Sequence, residues 1–98
     1  MLDSDFAVRL PVPDSKLSAH ELFRMGMRYA TGLDGPLDLI HAHALFDLAA
    51  RYGSLEAKIY RRELDEEMDL TDVAQAHDVV RQWLRRDPAG LKGGTTEA

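Results

Sequence analysis

Ninety-eight residues with a formal net charge of −5 and no cysteine provide for one small domain without disulfides or thiolate metal sites. The acidity argues against a dedicated DNA or RNA binder, which needs a basic face to displace counterions from phosphates. A hydrophobic content of 45% excludes wholesale disorder, and no apolar run approaches the roughly 20 residues of a membrane span.

Residues 1–16 carry no sustained helical periodicity. Leu10-Pro11-Val12-Pro13 favours an extended, polyproline-like path, because each Pro fixes its own φ and biases its predecessor away from helix. This reads as an arm, either loose or laid along a groove. Its start is acidic and lacks the apolar stretch of a signal peptide, so a cytoplasmic location is the expectation.

A first helix is predicted from about Leu17-Ser18 to Thr31. Ser18 and Glu21 have capping-box spacing, in which each side chain satisfies the other's backbone N–H. Leu22, Met25, Tyr29 and Leu33 would form its apolar stripe. Gly32, Gly35 and Pro36 then force a loop. The second helix is predicted to start at Pro36, which has no N–H to leave unsatisfied at the first helical position. Leu39, Ala42, Leu45, Phe46 and Ala49 supply its apolar face, and Gly53 stands where a left-handed cap is expected.

Ser54 is the predicted cap of a third helix reaching Met68, with Leu55, Ile59 and Leu64 as apolar positions and Tyr60 beside them. Thr71 is the predicted cap of a fourth helix reaching Arg86, lined by Val73, Ala76, Val80 and Trp83-Leu84. Asp87-Pro88 ends that helix. The Gly- and Thr-rich residues 87–98 read as a disordered tail. The fold class is therefore all-α: four helices in two antiparallel hairpins over 17–86.

Short connections with glycine at helix ends point to a helical repeat. Met25-Gly26, Tyr29 and Gly32 are followed by Asp38, Ala42, Leu45-Phe46 and Ala49-Ala50, and then by Gly53 and Ala57. With this spacing, residues 25–57 resemble the Sel-one-like repeat, a relative of the tetratricopeptide repeat. The resemblance implies a short α-solenoid of stacked hairpins doing adaptor or scaffold work without catalysis. Gly26, Ala42, Ala49 and Ala57 would be the small residues that let helix axes approach. Departures are Glu21 at the family's initial Ala, Asp34-Gly35 for a Gly and a Val, and Arg61-Arg62 where a second unit would present Leu-Gly. The second hairpin is thus a degenerate unit suited to an end cap. One and a half units fall short of the roughly three that stand alone, which favours association with itself or with a larger assembly.

Residues with chemical potential do not converge on a reaction. His41 and His43 are two apart on a helix and point roughly 200° from each other, so they cannot readily share a metal. With His20 and His77, they read as surface or partly buried histidines. No Ser sits in a nucleophile elbow, and no glycine run forms a P-loop or dinucleotide fingerprint. No catalytic residue, cofactor or metal is therefore expected. The acidic run holding Glu63, Asp65, Glu66, Glu67 and Asp69 lacks calcium-loop spacing. It reads as a solvated face with pairs such as Arg62–Glu66, or as a site for a basic patch on a protein. Trp83, the sole Trp, reads as a plug of the last hairpin, flanked by Val80 and Leu84 at core spacing, or as an anchor for a partner.

The expected function is a protein–protein interaction module: a small adaptor or accessory subunit of a larger complex. The solenoid implied by the resemblance would turn its first and third helices to a concave face. Arg24, Arg28 and Tyr60 are its candidate protein-binding contacts, with Glu63, Glu66 and Glu67 on the acidic run. The alternative is a small regulator acting on nucleic acid or its machinery through Arg81, Arg85 and Arg86 at the end of the last helix, where the cations otherwise serve the helix dipole.

Overall fold

The computed structural model describes residues 17–86, which form four helices and no strand. They are α1 (Ala19–Thr31), α2 (Leu39–Arg51), α3 (Leu55–Glu67) and α4 (Leu70–Arg86). The arm expected for 1–16 and the tail expected for 87–98 lie outside the described residues.

Local chemistry sets the helix ends. The Ser18 hydroxyl accepts from Glu21 N–H at 3.1 Å, and the Glu21 carboxylate accepts from Ser18 N–H at 2.9 Å, completing the capping box. Gly32 closes α1 in the left-handed region at φ 74°, its N–H donating to Arg28 C=O. Beyond α2, Gly53 takes φ 111°. Its N–H donates to Ala50 C=O, and that of Ser54 to Ala49 C=O. This is the paired arrangement of a Schellman cap. Ser54 then caps α3 by accepting from Ala57 N–H at 3.0 Å.

Two helices start elsewhere than expected. α2 begins at Leu39 and not at Pro36, because the Asp38 carboxylate accepts from His41 N–H at 3.0 Å and makes Asp38 the N-cap. Asp38 N–H also donates to Tyr29 C=O at 2.9 Å, tying the linker to α1. α4 begins at Leu70, with Asp69 C=O accepting the first helical bond from Val73 N–H at 3.0 Å. Thr71 is already inside the helix.

Helix α2 is the hub. It packs closely against α1, α3 and α4, and no other pair of the described helices packs as closely. Residues 41–49 are buried without interruption, as befits a helix surrounded on every side. Of the expected face, Ala42, Leu45, Phe46 and Ala49 are wholly buried and Leu39 is partly buried. So are His41 and His43, which were expected at or near the surface.

Gly26 of α1 lies where the α1–α2 crossing is tightest. A Cβ there would come within 2.6 Å of Phe46 Cε1. Trp83 is buried at the α4 end as expected, and Val79, Val80 and Ala76 join it in the core.

Three expected core positions face outward. Leu33 is 66% exposed, because it follows the Gly32 cap and helical spacing no longer directs it. Leu55 and Ile59 are 73% and 58% exposed. The buried side of α3 is set by Ala57 and Leu64. Leu55 and Ile59 are each two residues from Ala57, roughly 200° round the helix.

Candidate functional site

Two features of α3 concentrate the chemistry of the molecule. The first is a polar seam against α2. His43 Nε2 lies 2.6 Å from Asp65 Oδ1, and Arg61 Nη1 donates to Asp47 Oδ1 at 2.6 Å. His43 and Asp47 are one turn apart on α2; Arg61 and Asp65 are one turn apart on α3. Antiparallel packing sets them opposite each other in reverse order. Arg51 Nε approaches the same Asp47 oxygen at 3.6 Å.

Asp47 is buried and charged, so it needs partners to offset lost hydration. Arg61 supplies the short bond, while its own side chain stays 30% exposed. His43 is fully buried, with its ring edge against His77 of α4 at 5.6 Å between centroids. An ionised carboxylate only accepts, so a His43 bonded to ionised Asp65 carries a proton on Nε2. Nδ1 has no hydrogen-bond partner among the described residues.

The opposite side of α2 is aromatic. His41 lies against Tyr29 of α1 at 4.0 Å and against Trp83 of α4 at 5.9 Å. Burial holds the His41 pKa below the usual histidine value, and the nearby Asp38 carboxylate partly opposes that shift. The two α2 histidines thus face different neighbours, as their spacing predicts. Among the described residues, no group of three or more His, Asp or Glu is placed to hold a metal ion.

The second feature is the outer side of α3. Tyr60 stacks on Phe46 at 5.7 Å and tilts against Phe23 at 5.6 Å, while Phe23 meets Phe46 at 5.8 Å. This triad fixes one side of the Tyr60 ring and leaves the residue 37% exposed. Leu55 and Ile59 are exposed on the same helix, turned about 140° and about 100° from Tyr60. Glu63, Glu66 and Glu67 are exposed on the following turns.

The six candidate contacts therefore fall into two groups. Tyr60, Glu63, Glu66 and Glu67 share α3. Arg24 and Arg28 sit on α1, where they line a cavity of about 220 Å³ with Leu17, Glu21 and Met25. Phe23 is the α1 residue that reaches Tyr60, and Arg24 is turned about 100° away from it. The structure does not bring the arginines and Tyr60 into one patch.

Arg62 and Glu66 form no ion pair among the described residues. The basic pair splits instead: Arg61 turns inward to Asp47 and Arg62 stays exposed. At the end of α4, Arg81 pairs with Asp78 at 3.3 Å, and Arg85 and Arg86 are exposed.

Sequence reasoning missed the seam and the exposed Leu55–Ile59 pair. The seam had a signal in the two polar pairs spaced one turn apart on successive helices. Reading it requires the register of the α2–α3 hairpin. Comparison of the chain with protein-family models, curated proteins and solved structures found no match.

Proposed function

We propose that this chain is a protein–protein interaction module, a small adaptor or accessory subunit that binds and tethers or stabilises a larger protein assembly. One observation carries the reading: Leu55 and Ile59 stand exposed one turn apart on α3, on the side turned away from the buried Ala57, on a helix whose Tyr60 is fixed against Phe46 and Phe23. Large apolar side chains grouped on a rigid helix cost free energy in water and gain it when a partner covers them. Glu63, Glu66 and Glu67 on the next turns favour a partner that surrounds an apolar contact with basic residues.

The Sel-one-like spacing of residues 25–57 supports the same reading. In it the four helices are one full and one degenerate repeat of a short solenoid. An array this short leaves apolar helix surface open where a longer one would add a further unit. α3 is then the helix that a partner completes.

The test is affinity isolation of the tagged full chain from its native extract at mild salt, beside a Leu55→Asp/Ile59→Asp variant with unchanged helical circular dichroism. A partner in near-stoichiometric yield with the parent chain, and lost from the variant, is expected. Recovery of the chain alone, sedimenting as a monomer, overturns the reading. Equal capture by parent and variant removes the α3 face from it. Steeply salt-dependent DNA binding abolished by Arg85→Glu/Arg86→Glu would instead establish the nucleic-acid regulator.

A further inference from the structure

One side of α3 is chemically sorted and covered by no described helix. At about 100° per residue, Leu55, Ile59, Arg62 and Glu66 fall within about 60° of one another. Buried Ala57 and Leu64 lie on the opposite side, where α3 meets α2. All four residues of the stripe are exposed. Two apolar groups therefore stand toward the helix start, and two opposite charges toward its end.

The charges do not satisfy each other. Arg62 and Glu66 are spaced for an ion pair, yet neither pairs with any described residue. A helix favours acid before base at this spacing, and here the base comes first. An unpaired base and an unpaired acid one turn apart are complementary to the same stripe running the other way.

Symmetry sets the rest. A two-fold axis level with residue 64 lays α3 antiparallel against α3 of a second copy. Arg62 then stands across from Glu66 of the other chain, and Glu66 from its Arg62, so one contact is made twice. Ile59 lies about 7.5 Å from that level and Glu67 about 4.5 Å, at roughly 1.5 Å per residue. Ile59 and Leu55 thus reach past the end of the other α3, onto the corner that leads into α4. That corner carries Leu70, 86% exposed, and the exposed Asp69. Leu70 supplies apolar cover for Ile59 and Leu55, and Asp69 a counter-charge for the exposed Lys58. Three of the six large apolar side chains exposed among the described residues share this one contact.

We infer that α3 pairs antiparallel with α3 of a second copy of this chain, through Arg62–Glu66 contacts at the two-fold axis and through Leu55 and Ile59 against the corner at Leu70. The inference rests on the proposed reading of α3 as the face a partner completes, and it names the occupant: the chain enters the larger assembly as a dimer.

Sedimentation equilibrium of the full-length chain over a concentration series tests it. A monomer–dimer equilibrium is expected for the parent. By symmetry, Arg62→Glu or Glu66→Arg places two like-charge contacts in the interface and should raise the dimer Kd about tenfold. Mixing the two variants restores both opposite-charge contacts in a heterodimer, so the mixture should assemble with about the parent's affinity. A misfolded variant would not recover on mixing. A parent that stays monomeric, variants that pair as tightly as the parent, or a mixture no tighter than its components each overturn the inference. The proposed function fails separately. A monomer that still captures another protein through Leu55 and Ile59 overturns the self-pairing alone. A dimer that captures none supports the pairing and leaves the chain outside a larger assembly.

Discussion

His41 is held where a proton is unwelcome. Its ring lies between Tyr29 and Trp83, burial lowers its pKa, and Asp38 only partly opposes that. Below its ordinary value of about 6.5 the unfolded chain therefore binds the proton more readily than the folded one. This group's contribution to stability falls as pH drops through that value and levels off below the folded-state pKa. Urea midpoints measured between about pH 8 and about pH 5 should fall less in His41→Phe than in the parent chain. Gly26 sets two effects against each other. Alanine is favoured over glycine in a helix by about 1 kcal/mol, yet its Cβ would strike Phe46, which Phe23 and Tyr60 flank. Overpacking of this kind costs about 1–3 kcal/mol, so Gly26→Ala should lower the unfolding free energy by about 1 kcal/mol net. A rise would mean that the Phe46 ring swings aside.

Between elements, the α2–α3 seam joins burial to register. Sliding α3 by one turn would place Arg61 or Asp65 against the wrong partner and strand the Asp47 charge. Arg61→Met alone leaves Asp47 with only the longer Arg51 contact and should cost about 1–3 kcal/mol. Pairing it with Asp47→Leu removes the stranded charge and should recover much of that loss. A double-mutant cycle by urea denaturation should give a coupling of about 1–2 kcal/mol; a coupling near zero would mean that the two side chains act independently. The caps of α1 and α3 were legible in the sequence, because Ser18–Glu21 and Ser54–Ala57 are bonds between residues three apart, whereas α2 and α4 start elsewhere than expected. The Gly26 crossing was legible through the repeat resemblance. The burial of His43 and Asp47 was not, since their partners lie 22 and 14 residues away. Leu55 and Ile59 misled for the opposite reason. Their spacing is helical, but spacing alone does not say which side of α3 meets α2.

For the molecule as a whole, α2 is the helix the other three have in common. Trp83, the sole tryptophan, is buried in α4 against His41 of α2, so its fluorescence reports that one contact while circular dichroism reports all the helices. The two should share a single urea midpoint, because loss of α2 removes the main packing surface of every other helix. Two separated midpoints would show that the halves of the domain unfold independently. Slow exchange with heavy water carries the same architecture into time. Each outer helix leans mainly on one neighbour and can open while the other two remain in place. The central one is released only when all three have left it. Its amides should be the last to take up deuterium, and their opening free energy should equal that of global unfolding.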